Sequence, residues 1–503
     1  MSRHIPATMA TQHPDNAFPS IFSGKAFVST REETEECYRC FSELDVEEYM
    51  WDWEGKFVDE AVMERLFMEY YDYFKTHPIG KDKFLTFRIP NIWEELSAKL
   101  PRSFMNVVSA GQVAENYKMH DTPLFEVIHP MTTSSDQLKY LQRKFTRIAE
   151  SSANIFELKK HLKHIELIPL FEAIETMATS YKILMEYVDF MQSEYNFTPE
   201  YMRVFIARSD PAMNAGIIPT VLAVKHALSS YHKFGTSRGI KIYPWIGGGS
   251  LPFRGGINPN NVESTLEEYR GTASVTIQSA FRFDYPIESV KKAINTFNTQ
   301  LPKMRTTYRP ITSEEGKVID NFNAKAKTYF TETIESLAPL INQASKHLPN
   351  NRERIQHIGI FGYARGLGKI KLPRAIKFCG ALYSLGIPPE LIGTGRSLKL
   401  AKEQGCLDLI LDLYKNIKSD LIHSGYYLNR ENLDLITTSL GITKSIQEDI
   451  ELIEKILNIS IGPKSAEHLI HRNFTSNIYH KMNVGYNLEF DILEAAKIRR
   501  SIG

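Results

Sequence analysis

From residue 83 onward, short apolar runs of β type alternate with longer stretches of helical pattern, and this rhythm limits what the chain can fold into. The runs are Phe84 to Ile89, Phe104 to Val108, Leu124 to Ile128, Ile165 to Leu170, Met202 to Ala207, Ile240 to Tyr243, Ala273 to Ile277 and Ile355 to Ile360. Parallel strands cannot be joined by a tight turn; each pair needs a crossover, usually a helix. The alternation therefore predicts right-handed βαβ units on a parallel sheet. Eight runs predict a (β/α)₈ barrel of the TIM type, with a doubly wound open sheet as the alternative.

The flanks read differently. Residues 1–30 hold turn-formers around a polar knot, Ala10 to Asn16. Glu32 to Lys75 has a helical pattern rich in Tyr, Phe and Trp. Beyond residue 370 the chain reads mostly helical, as in Pro373 to Leu385, Leu407 to Ile422 and Ser445 to Asn458. The expected organisation is one compact unit. Residues 1–82 form an N-terminal segment and helices packing on the barrel, 83–370 the barrel carrying the site, and 371–503 a helical region completing it. Fold class is thus α/β, mostly α overall. A formal net charge of +1 with no basic stripe argues against nucleic acid and against an acidic membrane surface. No apolar run reaches membrane-spanning length, and the first residues lack a secretory apolar region. Four cysteines suit a reducing cytoplasm, and the lone Cys37-Tyr-Arg-Cys40 has no second pair to complete a zinc site.

Barrel enzymes place reactive groups at the C-terminal ends of their strands. Here Arg88, Glu172, Asp210 and Gln278 follow strand candidates. So does a turn, Tyr243-Pro-Trp-Ile-Gly-Gly-Gly-Ser-Leu-Pro-Phe-Arg-Gly-Gly-Ile-Asn-Pro. Glycines let backbone N–H groups approach an anion closely, and Arg254 could close the cage. Such a turn is also the expected lid over the site. Glu172 and Asp210 offer hard oxygen ligands in an incomplete cage, which suits Mg²⁺ or Mn²⁺. Asp210-Pro also fits a helix N-cap with proline at N1. Arg254, Arg365 and Arg374 sit in glycine- or proline-punctuated contexts and match an anionic, phosphate-bearing substrate. His13, in the polar knot, can move protons near neutral pH.

In their order, these motifs resemble those of phosphoenolpyruvate carboxylase of the short, archaeal type. Thr11-Gln-His-Pro-Asp resembles the Thr-Ala-His-Pro-Thr motif of the longer carboxylases, whose histidine is catalytic; this implies that role for His13. Ile168-Pro-Leu-Phe-Glu-Ala-Ile resembles their Pro-Leu-Phe-Glu-Thr strand, which implies Glu172 as a metal ligand. Arg208-Ser-Asp-Pro-Ala-Met-Asn-Ala-Gly resembles Tyr-Ser-Asp-Ser-x-Lys-Asp-Ala-Gly and implies Asp210 as the second. Gly248-Gly-Ser-Leu-Pro-Phe-Arg-Gly-Gly resembles the second half of their glycine-rich loop, with Arg254 at its last arginine. Val275-Thr-Ile-Gln-Ser resembles Val-Thr-Glu-Gln-Gly. Tyr363-Ala-Arg resembles Gly-Ser-Arg-Pro, and Leu372-Pro-Arg-Ala-Ile-Lys-Phe resembles Leu-Arg-Ala-Ile-Pro-Trp. Arg88 matches an arginine of theirs by position alone. Ala495-Ala-Lys-Ile-Arg-Arg-Ser-Ile-Gly503 is similar to their Ala-Ala-Gly-Met-Arg-Asn-Thr-Gly.

The resemblance implies His13, Arg254, Arg365 and Arg374 as catalytic residues. Arg88, Gly255, Gly256 and Gln278 are the expected substrate contacts, and Glu172 and Asp210 the metal ligands. It also implies carboxylation of phosphoenolpyruvate with bicarbonate to oxaloacetate and phosphate, through carboxyphosphate and an enolate, in anaplerotic supply of four-carbon acids. A homotetramer (a dimer of dimers), inhibition by aspartate or malate and a cytoplasmic location come with it. The alternative is another Mg²⁺-dependent barrel lyase or aldolase acting through an oxo-acid enolate. The sequence departs from the longer enzymes in two places. Met213 replaces the lysine of the aspartate loop, and Trp245-Ile-Gly-Gly stands where their glycine-rich loop has a histidine and a first arginine.

Overall fold

The computed structural model describes residues 3–94, 98–120, 122–157, 162–353, 371–440 and 444–503. Eight parallel strands close into a barrel in chain order: β1 (Thr8–Ala10), β2 (Glu48–Asp52), β3 (Phe84–Arg88), β4 (Glu126–His129), β5 (Glu166–Phe171), β6 (Tyr201–Ala207), β7 (Lys241–Gly247) and β8 (Ser274–Ile277). β8 closes the barrel on β1, setting Val275, Thr276 and Ile277 against Thr8, Met9 and Ala10. The expected TIM-type barrel with many added helices is the observed fold. Helices hold 58% of the chain, so most of the mass lies outside the barrel.

The strand assignments need correction at the N-terminal side. β1 lies in the segment read as turns, and β2 in the segment read as helical. The barrel strands therefore start at Thr8 and end at Ile277, whereas the sequence placed the barrel at 83–370. β1 has only three residues, too few for an alternation to show. β2 carries an inward Glu48 that is stabilised by Arg203 on β6, a partner no local pattern reveals. Phe104 to Val108, read as a strand, belongs to the helix Lys99–Asn116. Leu100, Phe104, Val107 and Val108 are its buried stripe, at the spacing of a helix face. Ile355 to Ile360 lies outside the described residues.

Period-2 alternation sorts the strand residues into two cores. Met9, Met50, Ile128, Ile168, Leu170, Phe205, Ala207 and Trp245 fill the barrel interior. The opposite parity, including Tyr49, Trp51, Phe87, Val204, Ile206, Ile246 and Val275, packs against the helices. Phe205 and Trp245 stack with ring centroids 4.0 Å apart. Below Trp245, the Arg203 guanidinium lies 4.9 Å from its ring and pairs with Glu48 at 2.6 Å and Glu126 at 2.8 Å. This fully buried triad closes the N-terminal end of the barrel.

A second core is helical. The helix Ser313–Ser345 begins at a capping box of Thr312 and Glu315. Its apolar face packs with helices Ile217–Arg238, Ala375–Ser384 and Thr394–Glu403. Leu251 and Phe253 of the glycine-rich turn insert into this core, so the turn joins barrel and helical layer. Among the described residues no helix is long and apolar enough to cross a membrane.

Candidate active site

The inward parity of the strands continues past their C-terminal ends. His13 lies four residues beyond Met9, Glu54 four beyond Met50, Arg88 two beyond Thr86, Glu172 two beyond Leu170 and Gln278 two beyond Thr276. These side chains meet at the barrel mouth, in a cavity of about 320 Å³. Asp210, Arg254 and Arg374 share its wall, and Leu170, Phe205 and Ala207 give it an apolar side.

Several of the polar groups are held by neighbours. Nδ1 of His13 lies 2.8 Å from the Thr11 hydroxyl, which fixes the ring. The Met131 N–H donates to Glu172 Oε2 at 2.7 Å. Arg88 forks onto Asp52 at 2.9 and 2.7 Å and reaches Glu54 at 3.1 Å. Burial alone would lower its pKa, but Asp52 and Glu54 hold it well above the ordinary arginine value. Arg374 pairs with the same Glu54 at 3.2 Å from the start of the helix Ala375–Ser384. Asp210 is not an N-cap: Arg208 occupies that position, and Asp210 lies inside the first turn of the helix Ser209–Ala215.

The glycine-rich turn differs from the expected anion cradle. The N–H groups of Gly248, Gly249, Phe253, Arg254, Gly255, Gly256 and Ile257 all donate within the protein. Gly255 and Gly256, at φ +121° and +69°, serve the turn itself and do not line the cavity. Nor is the turn built as a lid, because Phe253 is buried beside Phe330 and Phe378. What the turn presents is Arg254. Its Nη1 donates to Asp15 at 3.0 Å and to the Gly503 carbonyl at 2.5 Å, its Nη2 to Gln278 at 2.5 Å, and its Nε to Ser209 at 3.2 Å. A Cβ on Gly249 would sit 2.7 Å from that guanidinium, so any side chain there would have to displace it.

The sequence profile of the phosphoenolpyruvate carboxylase family matches residues 5–503. The chain belongs to that family. Phosphoenolpyruvate carboxylase of Leuconostoc mesenteroides subsp. mesenteroides is 39% identical over 93% of this chain and 93% of its own length. Similar proteins carry the same name in Oenococcus oeni (37% identical, 95% of each chain) and in the archaeon Metallosphaera sedula (38% identical, the full length of each). The family is one of carboxy-lyases.

Against the family's motifs, the structure gathers His13, Arg88, Glu172, Asp210, Arg254, Gln278 and Arg374 around one cavity. Arg365 lies outside the described residues. Met213, at the family's lysine position, is buried in the helical core and does not line the cavity. Among the described residues no three His, Cys, Asp or Glu side chains form a complete metal cage. Two carboxylates that follow the adjacent strands β5 and β6 are nevertheless a donor set that fits Mg²⁺, an ion that keeps several waters and takes substrate oxygens.

Sequence reasoning passed over several residues of this site. Asp15 is held by Arg254 and also accepts the Ala280 N–H at 2.8 Å. Asp52 and Glu54 organise Arg88, and Arg352, which lines the cavity, pairs with Glu33 and Glu36. Asp52 and Glu54 alternate with Trp51 and Trp53 at the end of β2. That alternation was the available signal, hidden once the segment was read as helix. Lys377 lies in a motif already singled out, where only the arginine was noted.

Proposed function

We propose that this chain carboxylates phosphoenolpyruvate with bicarbonate, releasing oxaloacetate and phosphate. The observation that carries this reading is the convergence of Glu172, Asp210, His13 and several cations in one cavity with an apolar wall. Glu172 and Asp210 would hold the divalent cation, Mg²⁺ or Mn²⁺. When bound, that ion supplies Lewis-acid neutralisation of developing oxyanion charge.

The cationic side chains neutralise and align the phosphoryl group, and phosphoryl transfer needs little else from the protein. A bicarbonate oxygen attacks phosphorus; the bond from phosphorus to the enol oxygen breaks, giving carboxyphosphate and the enolate of pyruvate. His13, oriented by Thr11, takes the carboxyl proton of carboxyphosphate at Nε2. The C–O bond to phosphate then breaks, leaving CO₂ and a phosphate that recovers the proton. The enolate carbon attacks CO₂ to form oxaloacetate. Leu170, Phe205 and Ala207 exclude water that would otherwise protonate the enolate. Arg254 supports this chemistry by fixing Gln278 and Asp15 beside the reacting groups.

The test is a coupled assay with phosphoenolpyruvate, bicarbonate, Mg²⁺, malate dehydrogenase and NADH. The expected result is NADH oxidation that depends on bicarbonate. Its absence overturns the reading, and oxo-acid turnover without bicarbonate would favour the aldolase or lyase alternative. The same reading includes a cytoplasmic homotetramer that supplies four-carbon acids and is inhibited by aspartate or malate. Light scattering and inhibitor titration test the assembly and the inhibition.

A further inference from the structure

The cations of the cavity are not equivalent. Arg88 is forked onto Asp52, Arg254 is paired with Asp15, Arg352 with Glu33 and Glu36, and Arg374 with Glu54. Each guanidinium charge is already offset by a carboxylate, so a multiply charged anion placed among them meets acceptors as well as donors. Lys377 is different. It lines the same cavity, three residues along from Arg374 in the first turn of the helix Ala375–Ser384. Among the described residues it has no carboxylate partner; burial lowers its pKa and no neighbouring charge opposes the shift.

A half-buried ammonium without a counter-ion is unfavourable in the protein alone, and an anion beside it would offset that cost. Its three N–H donors can follow a phosphoryl group as the oxygens move, which a fixed guanidinium fork cannot do. The helix start adds to this. Arg374 provides no side-chain cap to this helix, and Ala375 and Ile376 of its first turn line the same cavity.

We propose that Lys377 is a substrate-binding residue whose ammonium contacts the phosphoryl oxygens of the anionic substrate. This rests on the reading of the chain as a carboxylase of phosphoenolpyruvate. Lys377→Gln removes the charge at a cavity-facing position and leaves every ion pair named above in place. The expected result is a rise of about tenfold or more in KM for phosphoenolpyruvate, the loss typical of a charged hydrogen bond. KM for bicarbonate should stay within about twofold by the same reasoning, and Lys377→Arg should recover part of the loss.

Inorganic phosphate is the second probe. It should raise the melting temperature of the wild-type protein and have little effect on Lys377→Gln. Unchanged kinetics for phosphoenolpyruvate in Lys377→Gln, or an equal phosphate shift in both proteins, overturns the proposal. If the wild type forms no oxaloacetate, the carboxylase reading fails. A phosphate shift confined to the wild type would then still support Lys377 as an anion contact, and its absence would overturn that too.

Discussion

At the scale of single residues, His13 and Arg254 are expected to fail in different ways. Nδ1 of His13 meets the Thr11 hydroxyl, a contact that an amide can imitate. His13→Asn should therefore fold normally and bind phosphoenolpyruvate, while kcat falls by about 10²- to 10⁴-fold, as expected on losing a general base. A variant with full activity would remove His13 from the mechanism. Arg254 is a tie among four partners and is nearly fully buried. Replacing it with methionine leaves Asp15 buried without its counter-charge. The cost in stability should be about 3–5 kcal/mol, measurable by urea unfolding. Arg254→Lys keeps the charge but cannot reach Asp15, Gln278 and Ser209 together, so it should recover stability better than activity.

At the scale of elements, the glycine-rich turn and its support under the helical layer can be tested without touching any charge in the cavity. Gly249→Ala would push its Cβ into the Arg254 guanidinium, which is pinned on several sides and cannot step away freely. Activity should fall towards that of the Arg254 variants, with a crystal structure showing the guanidinium displaced. Beneath the turn, Glu390 Oε1 accepts the Phe253 N–H and the Tyr383 hydroxyl, both within 2.8 Å, and Oε2 has no partner among the described residues. Burial pushes this carboxyl from its ordinary 4.5 up to about 7. The folded protein then keeps a proton that the unfolded chain gives up, so the associated stability is present below about pH 4.5 and is lost as pH rises to about 7. Such a shift is worth on the order of 3 kcal/mol at most. Glu390→Gln should flatten that slope and melt higher than wild type at pH 8; an unchanged profile would argue that Glu390 is ionised in the fold.

The same scale shows what was legible in the sequence. β3 to β8 were readable because each lies in a short, mostly apolar or β-branched run bounded by helical stretches. β1 and β2 were not, since their inward residues are tied to distant strands, Glu48 to Arg203 and Met9 to the interior cluster. The site residues that could be named, such as Glu172, Asp210 and Gln278, followed recognised strands. Asp52 and Glu54 were missed with β2 itself. The turn's glycines read as backbone N–H donors that cradle an anion; in the fold those N–H groups bond within the protein, and at Gly249 the group in close approach is the chain's own Arg254.

At the scale of the whole molecule, the two proposed metal ligands follow neighbouring strands of the barrel, Glu172 just after β5 and Asp210 in the helix after β6, so cation binding should cross-link structure that is already formed. Adding Mg²⁺ should raise the melting temperature by mass action, and chelation should return it. Glu172→Gln and Asp210→Asn should each abolish that shift, read by calorimetry with no substrate present. A retained shift in both variants would place the cation elsewhere.

The buried Arg203–Glu48–Glu126 triad also decides how molecules travel. Among the described residues, ion pairs beneath stacked aromatic rings fill the N-terminal end of the barrel, and the cavity lies at the opposite end. Among the described residues, substrate and products then share the mouth as their route. Phosphate and the four-carbon product would therefore queue against incoming substrate, and each should act as a competitive inhibitor of phosphoenolpyruvate. Any CO₂ formed inside would then meet packed ion pairs and rings behind it, and its escape competes with capture at the mouth.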